Sequence, residues 1–242
     1  MAHRSEPRIV ASGGYTIYVE LCNEISLECN RMVHALYYAL LEARRRGDAE
    51  GIVEVVPAYT TVAILYDPRK TRRDRVESLV RRLLSEAPSI SSSMKPQRFR
   101  IPVVYGGVYG PDLEEVARMV GLSPDEVVEI HTSRSYVCYM LGFTPGFIYL
   151  GEVDERIAVP RLPRPRTQVA AGSVGIAGRQ TGVYGIDSPG GWRIIGRTPL
   201  RMFDHRREPP TPIRPGDIVE FYRVDEARFA ELRGRFVGEA AV

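Results

Sequence analysis

Lysine is almost missing from this chain: of 33 basic residues, all but Lys70 and Lys95 are arginine. Asn and Gln are scarce too, a composition that suits a hot-living or a GC-rich source and says nothing about activity. The basic residues are scattered among acids and the formal net charge is only +3, so the electrostatic footprint of a nucleic-acid binder is missing. No stretch approaches the roughly 18 consecutive apolar residues of a spanning helix. The amino-terminal MAHRSEPRIV has no apolar segment for a signal peptide. The expectation is a cytoplasmic protein with neither a membrane nor a nucleic-acid partner. Three cysteines, Cys22, Cys29 and Cys138, have no metal-ligand spacing and are too few for a disulfide framework. Cys138 sits in an apolar run, where a buried small hydrophobe is expected rather than a nucleophile. No His/Asp/Glu cluster has metal spacing, and no glycine-rich run ends in Gly-Lys-Ser/Thr, so no metal site and no Walker-type phosphate loop is expected.

What is present is ordinary globular material, 44% hydrophobic and 26% charged over 242 residues, enough for one large core or two modest ones. An alternating run from Tyr15 to Leu21 reads as a strand. Val33, Leu36, Tyr37, Leu40 and Leu41 then fall at helical spacing, ending in Arg44, Arg45 and Arg46 before Gly47. Ile52–Val56 and Thr61–Tyr66 read as strands, and Val76, Leu79, Val80, Leu83 and Leu84 as a second helix. This β-α-β-β-α order predicts an α+β protein whose first domain, 1–90, is a small ferredoxin-like layer. The stretch Ala87–Gln97 is rich in Ser and Pro and reads as the linker to a second domain, 91–242.

In the second domain a strand is expected around Ile101–Tyr105, followed by two short helices. Ser123-Pro124-Asp125-Glu126 supplies an N-cap, a first-turn proline and a capping-box glutamate for a helix that ends near His131. Beyond Ser135 come short runs, VCYML, FIYL, RIAV, RIIG and DIVEFY, each bounded by Gly or Pro, which predict a barrel or sandwich. Turns account for glycines such as Gly151 and Gly216. The denser group from Gly172 to Gly196 exceeds what turns require and calls for another explanation.

Five motifs in order, "VPAYTTVAILYDP", "IPVVYGGVYGPDLEEVARMVGLSPDEVVEIHT", "GFTPGFIYLG", "PRTQVAAGSVGIAGRQTGVY" and "SPGGWRIIGRTPLRMFD", resemble the KipI family. That family includes the B-type component of 5-oxoprolinase and is related to allophanate hydrolase subunit 1 and to the first half of urea carboxylase's carboxyltransferase domain. The resemblance runs from about Tyr15 to Tyr222. It implies a small N-terminal α/β domain followed by a cyclophilin-like β-barrel. It also implies ATP-dependent opening of 5-oxo-L-proline to L-glutamate, with ATP and Mg2+ handled by a complex that holds two further components, one of the LamB/YcsF type and one of the KipA type. Two alternatives follow from the same resemblance: a KipI-like inhibitor of a sensor histidine kinase, and a carboxyltransferase-type component that acts on a urea-like substrate.

A substrate with a carboxylate asks for arginine's planar fork. Arg166 and Arg197 are the candidates, each with a plain alternative: a solvated arginine in a Pro-rich loop, and a salt bridge to Asp204. Arg179 is the weaker third. His131 is the candidate acid or base, although a helix C-terminus favours histidine for structural reasons alone. Backbone amides around Gly172, Ser173, Pro189, Gly190 and Gly191 are expected to form an anion nest, against the alternative of tight barrel corners. Gln180, Thr181 and Tyr184 add hydrogen-bonding groups. The expected ligand pocket is lined by Gly172–Thr198, with Pro145 and Gly146 beside it. Phe143, Phe147 and Tyr149 are the expected apolar anchors for a partner protein.

Overall fold

The computed structural model describes residues 7–93 and 95–239, in two compact units, Met1–Lys95 and Pro96–Val242. In the first, strands β1 (Arg8–Ser12) and β2 (Thr16–Glu20) precede helix α1 (Leu27–Arg46). Strands β3 (Ile52–Pro57) and β4 (Thr61–Tyr66) and helix α2 (Arg73–Ser93) follow. The strands form one antiparallel sheet in the order β1-β2-β4-β3. Period-2 alternation turns Ile17 and Val19 of β2 and Val62 and Ile64 of β4 inward, all fully buried, against Leu36 and Val80 of the helices. Helix α1 begins where Ser26 accepts the Cys29 N–H at 3.1 Å. It stops at Gly47, whose φ of 84° is left-handed and whose N–H reaches the Arg44 carbonyl.

Three expectations change here. A ferredoxin-like layer takes its edge strand after the second helix, whereas here β1, from before the first helix, holds the edge beside β2. The ferredoxin-like assignment is therefore not confirmed. Helix α2 continues to Ser93, so most of Ala87–Gln97 is helical rather than a linker, and the division falls between Lys95 and Pro96. Cys22 and Cys29 form a disulfide that closes the loop between β2 and α1, a pairing the low cysteine count argued against. Only Cys138 is free, and it is buried.

The second unit contains β5 (Arg98–Tyr105), α3 (Leu113–Val120), α4 (Pro124–Thr132), β6 (Ser135–Leu141) and β7 (Ile148–Gly151). Next come β8 (Arg166–Val169), β9 (Ser173–Ala177), β10 (Gln180–Val183), β11 (Ser188–Gly190), β12 (Arg193–Arg197), β13 (Ile218–Arg223) and α5 (Glu226–Leu232). Seven strands close a barrel in the order β10-β7-β6-β13-β5-β12-β9, while β8 and β11 form a separate two-stranded ribbon. The run RIAV is not a strand: Glu155–Ile157 is a 3-10 turn, with Val159 in an isolated bridge to Gly178. Helix α4 has the expected capping box between Ser123 and Glu126.

Alternate positions on the same strands feed two apolar clusters. Ile148 and Leu150 of β7, Ile176 of β9 and Ile195 of β12 join the main core that fills the barrel. Their neighbours Phe147, Tyr149, Ala177 and Ile194 join a second cluster with Tyr184 and Trp192 on the opposite side of those strands. Val169 of β8 belongs to that second cluster, so the ribbon lies over the barrel's outer face.

Candidate functional site

Part of the glycine surplus is explained by aromatic packing on that outer face, at Gly175, Gly182 and Gly190, while Gly172, Gly185 and Gly196 give room to neighbouring backbone. A Cβ on Gly182 would lie 3.2 Å from Trp192 Cζ3 and 2.6 Å from the Ile148 carbonyl oxygen. A Cβ on Gly190 would lie 2.2 Å from Tyr184 Oη. These glycines make a bare floor on which large rings can lie. Trp192 and Phe147 meet edge-on with centroids 5.4 Å apart, Phe147 and Tyr184 at 4.8 Å, and the Arg161 guanidinium stands 5.8 Å over the Trp192 ring.

The nest expectation is overturned. Ser188–Gly190 is strand β11, and of the nest candidates only Gly172 has left-handed backbone, with φ 82°. Its N–H donates to the Tyr184 carbonyl at 2.8 Å, and the Ser173 N–H donates to the Ala170 carbonyl. These amides build corners instead of facing an anion. A Cβ on Gly191 would lie 3.6 Å from Pro165 Cγ, and Pro189 is exposed. Gln180 is half-buried at the start of β10, opposite Gly151.

Arg166 opens β8, and its Nη2 donates to Asp112 Oδ1 at 2.6 Å. Asp112 occupies the N-cap position of α3 without capping it. Its other oxygen accepts the Ile194 N–H at 2.6 Å, and its own N–H donates to the Ile194 carbonyl at 2.9 Å. One nearly buried carboxylate therefore ties α3, β12 and β8 together. Sequence reasoning missed Asp112, because Gly110-Pro111-Asp112 before an apolar helix reads simply as a cap. It also missed Arg193, whose buried side chain pairs with Glu115 at 2.9 Å and donates to the Pro160 carbonyl at 3.0 Å. Arg197 donates to the Ala171 carbonyl at 2.9 Å and does not pair with Asp204. That carboxylate pairs with Arg201, Arg206 and Arg207, and the Arg206 hydrogen bonds foremost, with the Arg201 charge, hold it down at about 2. Arg179 forms exposed pairs with Glu152 and Glu155.

His131 lies inside the barrel with no exposed surface, away from the outer face. Thr181 donates to the Gly175 carbonyl, so its oxygen accepts from His131 Nε2 at 2.9 Å, while Tyr105 Oη donates to Nδ1 at 2.8 Å. Phe221 stacks on the ring. Burial pushes its pKa down to about 3, so the imidazole is neutral and fully paired. As the acid or base of an open site it is misplaced, and Thr181 is its structural partner. Of the expected anchors, Phe143 is exposed, at 61%, but Phe147 is core and Tyr149 half-buried.

None of the described cavities is lined by Gly172–Thr198. The largest of the described cavities, about 570 Å³, lies in the N-terminal unit between Tyr66 and Glu77. Among the described residues, no group of three or more His, Cys, Asp and Glu is placed to hold a metal ion. No described helix is long and apolar enough to cross a membrane.

Residues 7–213 match the family model for the carboxyltransferase domain, subdomain C and D. The chain belongs to this family. It is 44% identical over 223 residues to the B-type component of 5-oxoprolinase from Bacillus subtilis, covering 88% of this chain and 91% of the relative. It is 43% identical over 212 residues to the protein of the same name in Escherichia coli O157:H7, covering 86% and 92%. The solved structure of TTHA0988 superposes with a TM-score of 0.75 at 40% identity. That match takes in 87% of this chain but only 40% of the other, so the carboxyltransferase C and D unit spans less than half of that longer chain.

Proposed function

We propose that this chain is the B-type component of an ATP-dependent 5-oxoprolinase complex that opens 5-oxo-L-proline to L-glutamate in the cytoplasm, together with a LamB/YcsF-type component and a KipA-type component. The observation that carries this reading is the 44% identity to a named 5-oxoprolinase component over nearly the full length of both chains. In the same reading the barrel is cyclophilin-like. A lactam carbonyl is unreactive, and ATP supplies the means to turn its oxygen into a phosphate leaving group. The described residues hold no cluster of three or more His, Cys, Asp and Glu placed for a metal ion and the sequence has no phosphate loop, so no step through Mg2+ is assigned to this chain. What its residues offer is recognition: Arg166, fixed by Asp112, beside an aromatic floor that accepts a small ring. His131 and Thr181 brace the barrel wall behind that floor.

The test is reconstitution. The chain is purified alone and with its LamB/YcsF-type and KipA-type companions, and glutamate release from 5-oxo-L-proline and ATP is followed. Turnover only in the assembly is expected. Robust turnover by the isolated chain refutes the shared-site reading, and neither turnover nor co-purification in any combination favours the kinase-inhibitor alternative.

A further inference from the structure

The inner side of the β8–β11 ribbon carries hydrogen-bond donors beside the apolar Val169. Gly190 stands opposite Arg166 and Ser188 opposite Val169. Ser188 and Gly190, two apart on one strand, share the buried side, while Pro189 between them is exposed. Tyr184 Oη comes up to where a Gly190 side chain would be. Arg166 Nη1, Tyr184 Oη and Ser188 Oγ are all sealed from solvent, and none has a hydrogen bond of good geometry. The Trp192 backbone N–H approaches Tyr184 Oη, which leaves the hydroxyl's own proton without an acceptor. The nearby carboxylate, Asp112, is already committed: one oxygen takes Arg166 Nη2, the other the Ile194 N–H.

One cation and two hydroxyl protons without an acceptor are the complement of an anionic acceptor, and buried donors left unpaired are costly. We propose that the inner side of this ribbon binds a carboxylate group between Arg166, Tyr184 and Ser188, with Asp112 as the residue that positions Arg166. A carboxylate suits the set because a single guanidinium provides the charge and two neutral donors fill the rest. Phe147 and Trp192 are buried and Tyr149 half-buried beneath the ribbon, so they face the ring that carries the acid only once the ribbon has lifted. That this ring is 5-oxo-L-proline rests on the proposed function; the preference for a carboxylate does not. Because the three donors are sealed, the ligand enters as the ribbon lifts from the aromatic floor. Trp192, the chain's one tryptophan, lies in that floor and reports the event.

The experiment is a fluorescence titration of the full chain, alone, with 5-oxo-L-proline, with 2-pyrrolidinone, which has the ring without the acid, and with inorganic phosphate. A saturable response to 5-oxo-L-proline is expected, with the other two at least about tenfold weaker. Ser188→Ala removes an unpaired buried hydroxyl, so it weakens 5-oxo-L-proline binding while the melting temperature holds or rises. Tyr184→Phe weakens binding too, but it also takes the acceptor from the Trp192 N–H and so lowers the melting temperature slightly. Asp112→Asn lowers affinity for 5-oxo-L-proline about tenfold and leaves that for 2-pyrrolidinone unchanged, a selectivity that general loosening of the fold does not produce. The proposal is overturned by no saturable response, by an equal response to 2-pyrrolidinone or phosphate, or by parental affinity in both hydroxyl variants. Turnover by the assembled complex without a carboxylate response from this chain sinks the site alone. A carboxylate-selective response with no turnover in any assembly sinks the proposed function alone.

Discussion

Among the described residues, those buried and polar in the N-terminal unit are Asn30, His34 and Thr71, whereas the barrel unit buries nine, among them Asp112, His131, Ser188 and Arg193. Asn30 shows what the smaller unit does with its few: the side-chain amide donates to the Ala58 and Tyr59 carbonyls and pins a turn. In the barrel, burial serves two purposes. Asp112 and His131 are saturated with partners, while Arg166, Tyr184 and Ser188 keep donors unspent. Buried polarity costs free energy unless it is paired, so the unit that carries the unpaired surplus is the one expected to bind something. Of the described cavities the N-terminal unit has the largest, but none of the unpaired donors lies around it, so chemistry is weighed above volume as a guide to the site.

The comparison breaks most sharply through glycine. Gly182→Ala drives a methyl against the Ile148 carbonyl and Trp192, and denaturant unfolding is expected to show a loss of about 3 kcal/mol. Gly47→Ala, which meets no atom within 4 Å but must hold φ 84°, is expected to cost only about 1 kcal/mol. Reduction of the Cys22–Cys29 bond is the second probe. Loop closure over so short a segment is worth about 2.5 kcal/mol, and hydrogen exchange is expected to show that loss in the N-terminal unit and not in the barrel. The third is pH. Buried His131 stays neutral down to about 3, whereas the unfolded chain takes up that proton near 6.5. Stability from this residue is therefore fully present above 6.5 and falls as the pH drops toward 3, by about 1.4 kcal/mol per pH unit within the window. His131→Gln is expected to flatten that slope in urea melts at pH 7.5 and 5.5.

Much of the fold is readable from the chain itself. Helical spacing marks α1, the Ser123–Glu126 box marks α4, and short bounded runs mark β6, β7, β12 and β13, because in each case local chemistry and final packing agree. Strand β1 and the ribbon strands are not legible, since RIVAS, RTQV and SPG carry no alternation and form only through their partners. The glycine cluster stands out in the sequence, but it does not announce its purpose, and backbone nests are the wrong explanation. At Gly175, Gly182 and Gly190 the missing side chains serve Trp192 and Tyr184, and that match is visible only in three dimensions. Arg166 is conspicuous for its chemistry, but its anchor lies 54 positions away at Asp112, a separation that no local pattern reports.

The central claim is that the ribbon side of the barrel, and not the roomier N-terminal groove, holds the substrate. It is tested most directly by turnover of the reconstituted complex carrying either Arg166→Gln or Arg72→Gln, the latter a groove residue in an exposed pair with Asp74. The account predicts that Arg166→Gln lowers turnover more than about tenfold while unfolding stays cooperative, with some loss of melting temperature because Asp112 loses its counter-ion. It predicts that Arg72→Gln stays within about twofold, as befits a solvated pair. Parental turnover in Arg166→Gln, with the loss falling on Arg72→Gln instead, would contradict it.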